Sequence, residues 1–251
     1  VLSAAGIVAA HGVQPRQRKL LERLLVLLAE DGYLAAGDAG WVVTKPLPAV
    51  DPAATAAEMT AAAMPCDPEL ALTIRCGSQL AGVLRGAVNP VQLLFPDGSA
   101  ALVERIYHES PAARFFNDLA RQAVTGIVGA LASGDRLRVL EVGAGTGGTT
   151  TTLLPEFPSA QTEYVFTDVS PLFLQNASEK FRDYDFVDYQ LLDLERDPLT
   201  QGFTKQAFDV IVAVNVLHAT ADLSRTLAVL RTLLSPGGVI LLGEATVARR
   251  W

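Results

Sequence analysis

The apolar positions of this chain change their spacing part-way along. In "PRQRKLLERLLVLLAEDGYL" the leucines at 20, 21, 24, 25, 27 and 28 share one wide face at helical spacing, which predicts an amphipathic helix. Gly32 stops it, and "WVVT" after Gly40 reads as a short strand. Residues 45 to 68, rich in Pro and Ala, read as loop mixed with short helix. "ELALTIRCGSQLAGVLRG" reads as a further amphipathic helix and "NPVQLLFPDGS" as a turn-rich connector. In "SPAARFFNDLARQAVTGIVGALAS" Ser110 offers a cap, and Pro111 suits the first helical position, where a missing N–H costs nothing.

From residue 137 the period shortens. The runs "LRVLEVGAG", "EYVFTDVS", "YQLLDLE", "FDVIVAVNVLH" and "GGVILLGEAT" alternate with "TTTTLLPEF", "SPLFLQNASEKF" and "DLSRTLAVLRTLLSPGG". Strands alternating with helices predict a mainly parallel sheet covered on both faces. In the last helix Leu223, Leu227, Leu230 and Leu234 make one stripe, ended by Pro236-Gly237. The expected architecture is α/β, a mainly helical part over 1–130 followed by a doubly wound domain over 131–251, with the boundary near 125–135. No internal repeat is visible.

Composition narrows the class. Half of the 251 residues are apolar, enough for a globular protein with a sizeable core. A net charge of −7 argues against nucleic acid as the main partner, because a surface that tracks phosphates needs clustered Lys and Arg. The short "RQRK" run at 16 to 19 reads as a solvated first turn. The helix and strand up to residue 44 suit a winged-helix unit as well, but the acidic balance favours packing. No apolar run approaches the ~20 residues that cross a bilayer, and no signal peptide is apparent. Cys66 and Cys76 make neither a disulfide framework nor a metal site and fit a reducing, cytoplasmic setting. The three scattered histidines offer no metal-ligand spacing, and His11 and His108 read as surface residues. With Val1 in place of Met, the chain reads as an excerpt of something longer.

Candidate chemistry gathers at the ends of the strands. In "LEVGAGTGG", Glu141 precedes Gly143, Gly145 and Gly147, which leave a strand and enter a helix. Glycine there permits tight backbone angles and close approach of a ligand. No phosphate-binding Lys follows, which excludes a P-loop. Asp168 ends the next strand, 25 positions after Gly143, where an acidic side chain can accept from both ribose hydroxyls. Asp193, in "LLDLE", falls at the same edge, where a base amino group is within reach, and Asn215 joins them after the fourth strand. Each acidic residue alone also suits a helix cap or loop; the set on one edge favours a nucleoside ligand.

These motifs resemble those of the class I S-adenosylmethionine-dependent methyltransferases. "EVGAGTGGTT", "FTDVS" and "NVLHAT", with "VNPVQLLFPDGS" and "YHESPAARFFN", resemble more narrowly the C-methyltransferase domains embedded in type I polyketide synthases. The likeness runs from about residue 15 to the end. It implies a Rossmann-like core with strand order 3-2-1-4-5, an N-terminal lid, and S-adenosylmethionine held by Glu141, Gly143, Gly145, Gly147, Asp168, Asp193, Leu194 and Asn215. It also implies His218 as general base, Glu244 as its support 26 residues later, and Tyr107 as a lid tyrosine that polarises the substrate carbonyl. Alternatively, His218 caps a helix and Tyr107 merely packs. The implied reaction is C-methylation of the α-carbon of a β-ketoacyl chain on an acyl carrier protein, among neighbouring synthase domains, with no metal. O-methylation and a non-catalytic structural remnant are the alternatives. The family's sheet has seven strands, whereas this sequence stops at Trp251, just past the fifth.

Overall fold

In the computed structural model, which describes residues 2–62 and 67–246, the chain divides into two units. One ends at Val103 and the other starts at Glu104. Cys66 and Trp251 lie outside the described residues.

The first unit contains α1 (Ala4–His11), α2 (Arg18–Glu30), the antiparallel pair β1 (Leu34–Gly37) and β2 (Gly40–Val43), then α3 (Pro52–Ala61), α4 (Asp67–Ser78), α5 (Leu80–Arg85) and α6 (Pro90–Leu94). Its core is small, built on Val13, Leu21, Leu25 and Leu34. Only the line through Leu21 and Leu25 of the six α2 leucines is fully buried, against Leu34 and Trp41 of the hairpin and Ile7 and Val8 of α1, and Leu20 is exposed. The segment read as one helix after residue 68 is two, broken at Gln79. The expected connector "NPVQLLFPDGS" instead begins with a helix capped by Asn89, whose side chain accepts from the Val91 N–H.

The second unit begins within α7 (Ala101–Glu109) and continues through α8 (Pro111–Gly129), where Ser110 caps the helix as the sequence reading expects. The change of spacing read near 125–135 marks where the sheet begins. The preceding helix groups with the sheet because Ala120 and Val124 pack into its core.

Then come β3 (Leu137–Val142), α9 (Gly148–Leu153), β4 (Thr162–Asp168), α10 (Pro171–Lys180), β5 (Val187–Leu191), β6 (Phe208–Val214), α11 (Leu223–Leu233) and β7 (Leu234–Gly243). The strands form one parallel sheet in the order β5-β4-β3-β6-β7, the expected 3-2-1-4-5. Side chains alternate between faces along each strand, so Val139, Phe166 and Val212 pack on one side with α8 and α9, while Leu140, Val142, Ile211 and Ala213 pack on the other with α11. Burying each such side chain contributes roughly 1.5–3 kcal/mol, and the central strands β3 and β6 have both faces covered.

The stripe expected on the last helix is rotated. Leu223 and Leu227 are exposed, and the line facing the sheet is Thr226, Leu230 and Leu233. Leu234 has left the helix for β7, where it pairs with Phe208. The ladder is irregular before Val210 meets Val239, so Pro236 and Gly237 interrupt a strand and do not end a helix. The order of strands reverses between β3 and β6, and a ligand crevice opens at their carboxyl ends in sheets of this kind.

Candidate active site

The loop after β3 carries three glycines with left-handed backbone, φ +58° at Gly143, +56° at Gly145 and +71° at Gly147. They serve different ends. A Cβ on Gly143 would lie 2.1 Å from Val216 Cγ2, and one on Gly147 would lie 2.7 Å from the Phe181 ring. At Gly145 the nearest atom would be 4.0 Å away, the Gly143 carbonyl oxygen. Two glycines are therefore demanded by protein packing, and the middle one borders open space. Its N–H donates to Asp168 Oδ2 at 3.0 Å, while the Ser170 N–H donates to Oδ1 at 2.8 Å. The carboxylate at the end of β4 thus fixes the loop and retains lone-pair positions for further donors.

Glu141 points the other way. It is 2% exposed, and its Oε2 accepts from the Thr150 hydroxyl and the Tyr164 hydroxyl, both at 2.7 Å. Desolvation pushes its carboxyl up to about 7, against the opposing effect of those two donors. Through Oε2 its side chain ties β3 to α9, which follows the glycine loop, and to β4. Leu194 is likewise a core residue, packed with Leu192 and Phe203. Asp193 is half-buried at the expected edge; Gln201 clasps its backbone N–H and carbonyl, and its Oδ1 accepts from the Glu195 N–H.

Beyond β6 a second cluster forms. Asn215 holds left-handed backbone at φ +56°, a conformation that costs Asn less than most residues. Its Nδ2 donates to the Tyr107 hydroxyl at 3.1 Å. Glu244, just after β7, accepts from the Val216 and Leu217 N–H groups through Oε1, at 2.8 and 2.6 Å. Its Oε2 lies 2.8 Å from His218 Nδ1. Adjacent parallel strands bring these ends together, which is why residues 26 apart in sequence meet. The carboxyl of Glu244 is held below its ordinary range: burial alone would raise it, but His218 and the two N–H groups outweigh that. The His218 side chain is 57% exposed against 19% for Glu244, so the imidazole has one nitrogen anchored and the other, Nε2, facing outward.

Known proteins bear on this geometry. A family model described as a methyltransferase domain matches residues 140–240. A hybrid PKS-NRPS synthetase, iliA, from Neonectria sp. (strain DH2) is 38% identical over 179 residues, 71% of this chain and 4% of that protein. The CurJ carbon methyltransferase structure is 43% identical with a TM-score of 0.94, covering 100% of this chain and 66% of that one. A trans-methyltransferase, CalH, solved in complex with SAH, is 35% identical with a TM-score of 0.64, covering 76% of this chain and 52% of that one. The chain belongs to the carbon methyltransferase domains of polyketide synthases. It spans only a few per cent of the length of the curated relatives it matches.

Methyltransferases of this family imply S-adenosylmethionine, and the residues present fit it. The open space over Gly145, which a Cβ would fill, borders a carboxylate with free acceptor positions, at the sheet edge that bears Asp193 and Asn215. No group of three or more metal-ligating side chains occurs among the described residues, and no helix among them is long and apolar enough to cross a membrane. Sequence reasoning missed Asn117, a buried amide on the α8 face that also carries Ala120 and Val124. A polar residue on an otherwise apolar helical stripe was the available signal.

Proposed function

We propose that this chain transfers a methyl group from S-adenosylmethionine to the α-carbon of a β-ketoacyl thioester borne on the phosphopantetheine arm of an acyl carrier protein. The observation that carries the reading is the pairing of His218 with Glu244 beside the Gly145 crevice. When bound, the cofactor supplies an electrophilic methyl group on a sulfonium centre. Asp168, the open face at Gly145 and the Asp193 edge are the groups that would hold it.

The protein's own part is proton transfer and placement. Glu244, kept ionised, accepts the Nδ1–H of His218 and selects the tautomer with a lone pair on Nε2. That nitrogen takes the α-proton of the thioester, whose flanking carbonyls stabilise the resulting enolate. Tyr107 receives a hydrogen bond from Asn215 on its oxygen, which leaves its own O–H for the substrate carbonyl oxygen, where negative charge develops. That enolate would be the carbon nucleophile for the cofactor's methyl group, whose bond to sulfur would break as the carbon–carbon bond forms, leaving a neutral thioether; the proton on His218 passes to solvent. Neighbouring synthase domains in the cytoplasm would supply and remove the carrier. Likeness to the CurJ carbon methyltransferase favours carbon over oxygen as acceptor.

The test is mass spectrometry of a carrier protein loaded with an acetoacetyl group. The expected product gains one methylene, located on the α-carbon by fragmentation. A methyl group on oxygen would reassign the acceptor, and a chain that binds the cofactor yet methylates nothing would overturn the reading.

A further inference from the structure

The glycine loop and Tyr107 are joined by side chains that the proposed chemistry does not use. The Tyr107 carbonyl oxygen accepts from Asn117 Nδ2 at 3.1 Å, and Asn117 Oδ1 accepts from the Thr149 hydroxyl at 3.0 Å. Thr149 lies in the first turn of α9, two residues past Gly147. Asn117 is 6% exposed, so an apolar replacement would strip the Tyr107 carbonyl and the half-buried Thr149 hydroxyl of these partners at once. The approach is close, since a Cβ on Gly148 would lie 2.9 Å from the Tyr107 carbonyl oxygen.

Lys180 makes a second tie. Its Nζ pairs with Glu104, one turn before Tyr107, and donates to the Thr146 carbonyl in the loop at 3.3 Å. The backbone around Tyr107 is therefore fastened to the glycine loop, while the hydroxyl of the same residue receives Asn215 at the end of β6.

We propose that Asn117 is a positioning residue that couples occupation of the glycine loop to the placement of the Tyr107 hydroxyl. Its amide spends the donor on one element and the acceptor on the other, so a ligand settling against Gly145 and shifting Thr146 to Thr149 moves the Tyr107 backbone with them. The consequence for methyl transfer rests on the proposed function; the coupling itself does not.

Asn117→Asp separates the two halves of the link. An aspartate keeps the volume and the acceptor for Thr149, but sets an oxygen against the Tyr107 carbonyl where a donor stood. The test labels tyrosine with 13C at Cζ in the whole chain, assigns Tyr107 by its loss in Tyr107→Phe, and titrates S-adenosylhomocysteine. The expected result is a Tyr107 resonance that moves on binding in the native protein. In Asn117→Asp most of that movement is lost, while affinity changes less than about threefold. Thr149→Val, which cuts the link at its half-buried end, should do the same and covers the case in which Asn117→Asp fails to fold.

A native Tyr107 signal unmoved by the ligand, or one that moves equally in both variants, overturns the proposal. Turnover adds an independent reading. Asn117→Asp should lower kcat about tenfold alone and less than about twofold in a Tyr107→Phe background, as expected when one residue acts through the other. Losses that simply add would contradict it. A Tyr107 signal that responds to the ligand in a protein that methylates no carrier-bound β-ketoacyl group would sink the proposed function and leave the coupling standing.

Discussion

The two halves of the candidate site are built differently. On the loop side, Glu141, Thr150 and Tyr164 are buried to 2% exposure or less, and the backbone angles are set by what Gly143 and Gly147 touch. On the β6 side, His218 and Tyr107 are largely exposed, and each is placed by one hydrogen bond to a better-buried or backbone-anchored partner. A binding surface assembled by packing is already formed before ligand arrives, and damage to it spreads into stability. A pair of exposed groups aimed by hydrogen bonds can be altered with little cost to the fold, so changes there should register in chemistry alone.

That contrast yields a graded set of substitutions. Gly145→Val fills the open space over the loop, and S-adenosylmethionine affinity should fall by ~100-fold or more, about 2.7 kcal/mol, as read by calorimetry. Any side chain at Gly143 or Gly145 strains the left-handed backbone, but Gly143→Ala should lower the melting temperature further than Gly145→Ala, because only its Cβ would collide, with Val216. Equal loss of stability in both would erase the distinction.

The buried carboxyl supplies a pH signature. Glu141 has its pKa raised from 4.5 to about 7, so the folded protein holds a proton that the unfolded chain releases. The Glu141 contribution to stability is then greatest at or below pH 4.5 and falls as pH rises toward 7, by roughly 3 kcal/mol at 1.36 kcal/mol per unit. Glu141→Gln should remove that portion of the pH dependence in denaturant titrations. An unchanged slope between those values would count against the buried, protonated carboxyl.

On the β6 side, Glu244→Gln keeps the shape but lets the imidazole adopt the wrong tautomer. Turnover should drop by about 10- to 100-fold, with cofactor affinity held within about threefold. With its pKa depressed, the Glu244 carboxylate stays ionised to lower pH than a free glutamate, so the stability it contributes is lost only as pH falls through that lowered value. The smallest effect belongs to the surface: Arg136→Ala, which breaks an ion pair with both partners more than half exposed, should change stability by less than about 1 kcal/mol.

Much of this arrangement was legible in the chain. Full burial of a parallel sheet leaves continuous apolar strands, so β3, β4 and β6 could be read, as could the edge that gathers Gly145, Asp168 and Asn215; the order of the sheet came with the family resemblance. The meeting of His218 with Glu244 followed from adjacent strands ending together. What escaped was set by tertiary packing. Nothing in "EVGAG" says that Glu141 turns inward; Tyr164 and Thr150, contributed by other elements, decide that. Leu223 and Leu227 lie on the expected helical stripe yet remain exposed, because the face chosen depends on how α11 meets the sheet. Asn117 reads as a blemish on an apolar face until Tyr107 and Thr149 are placed on either side of it.

The most direct test of the central claim, that His218 held by Glu244 is the base, is single-turnover methyl transfer to a carrier-bound acetoacetyl group by His218→Ala. Native and variant proteins are compared at saturating S-adenosylmethionine, with cofactor affinity measured on the same samples. The account predicts unchanged affinity and a rate lowered by at least ~100-fold. Transfer at the native rate by a variant that binds the cofactor normally would contradict it.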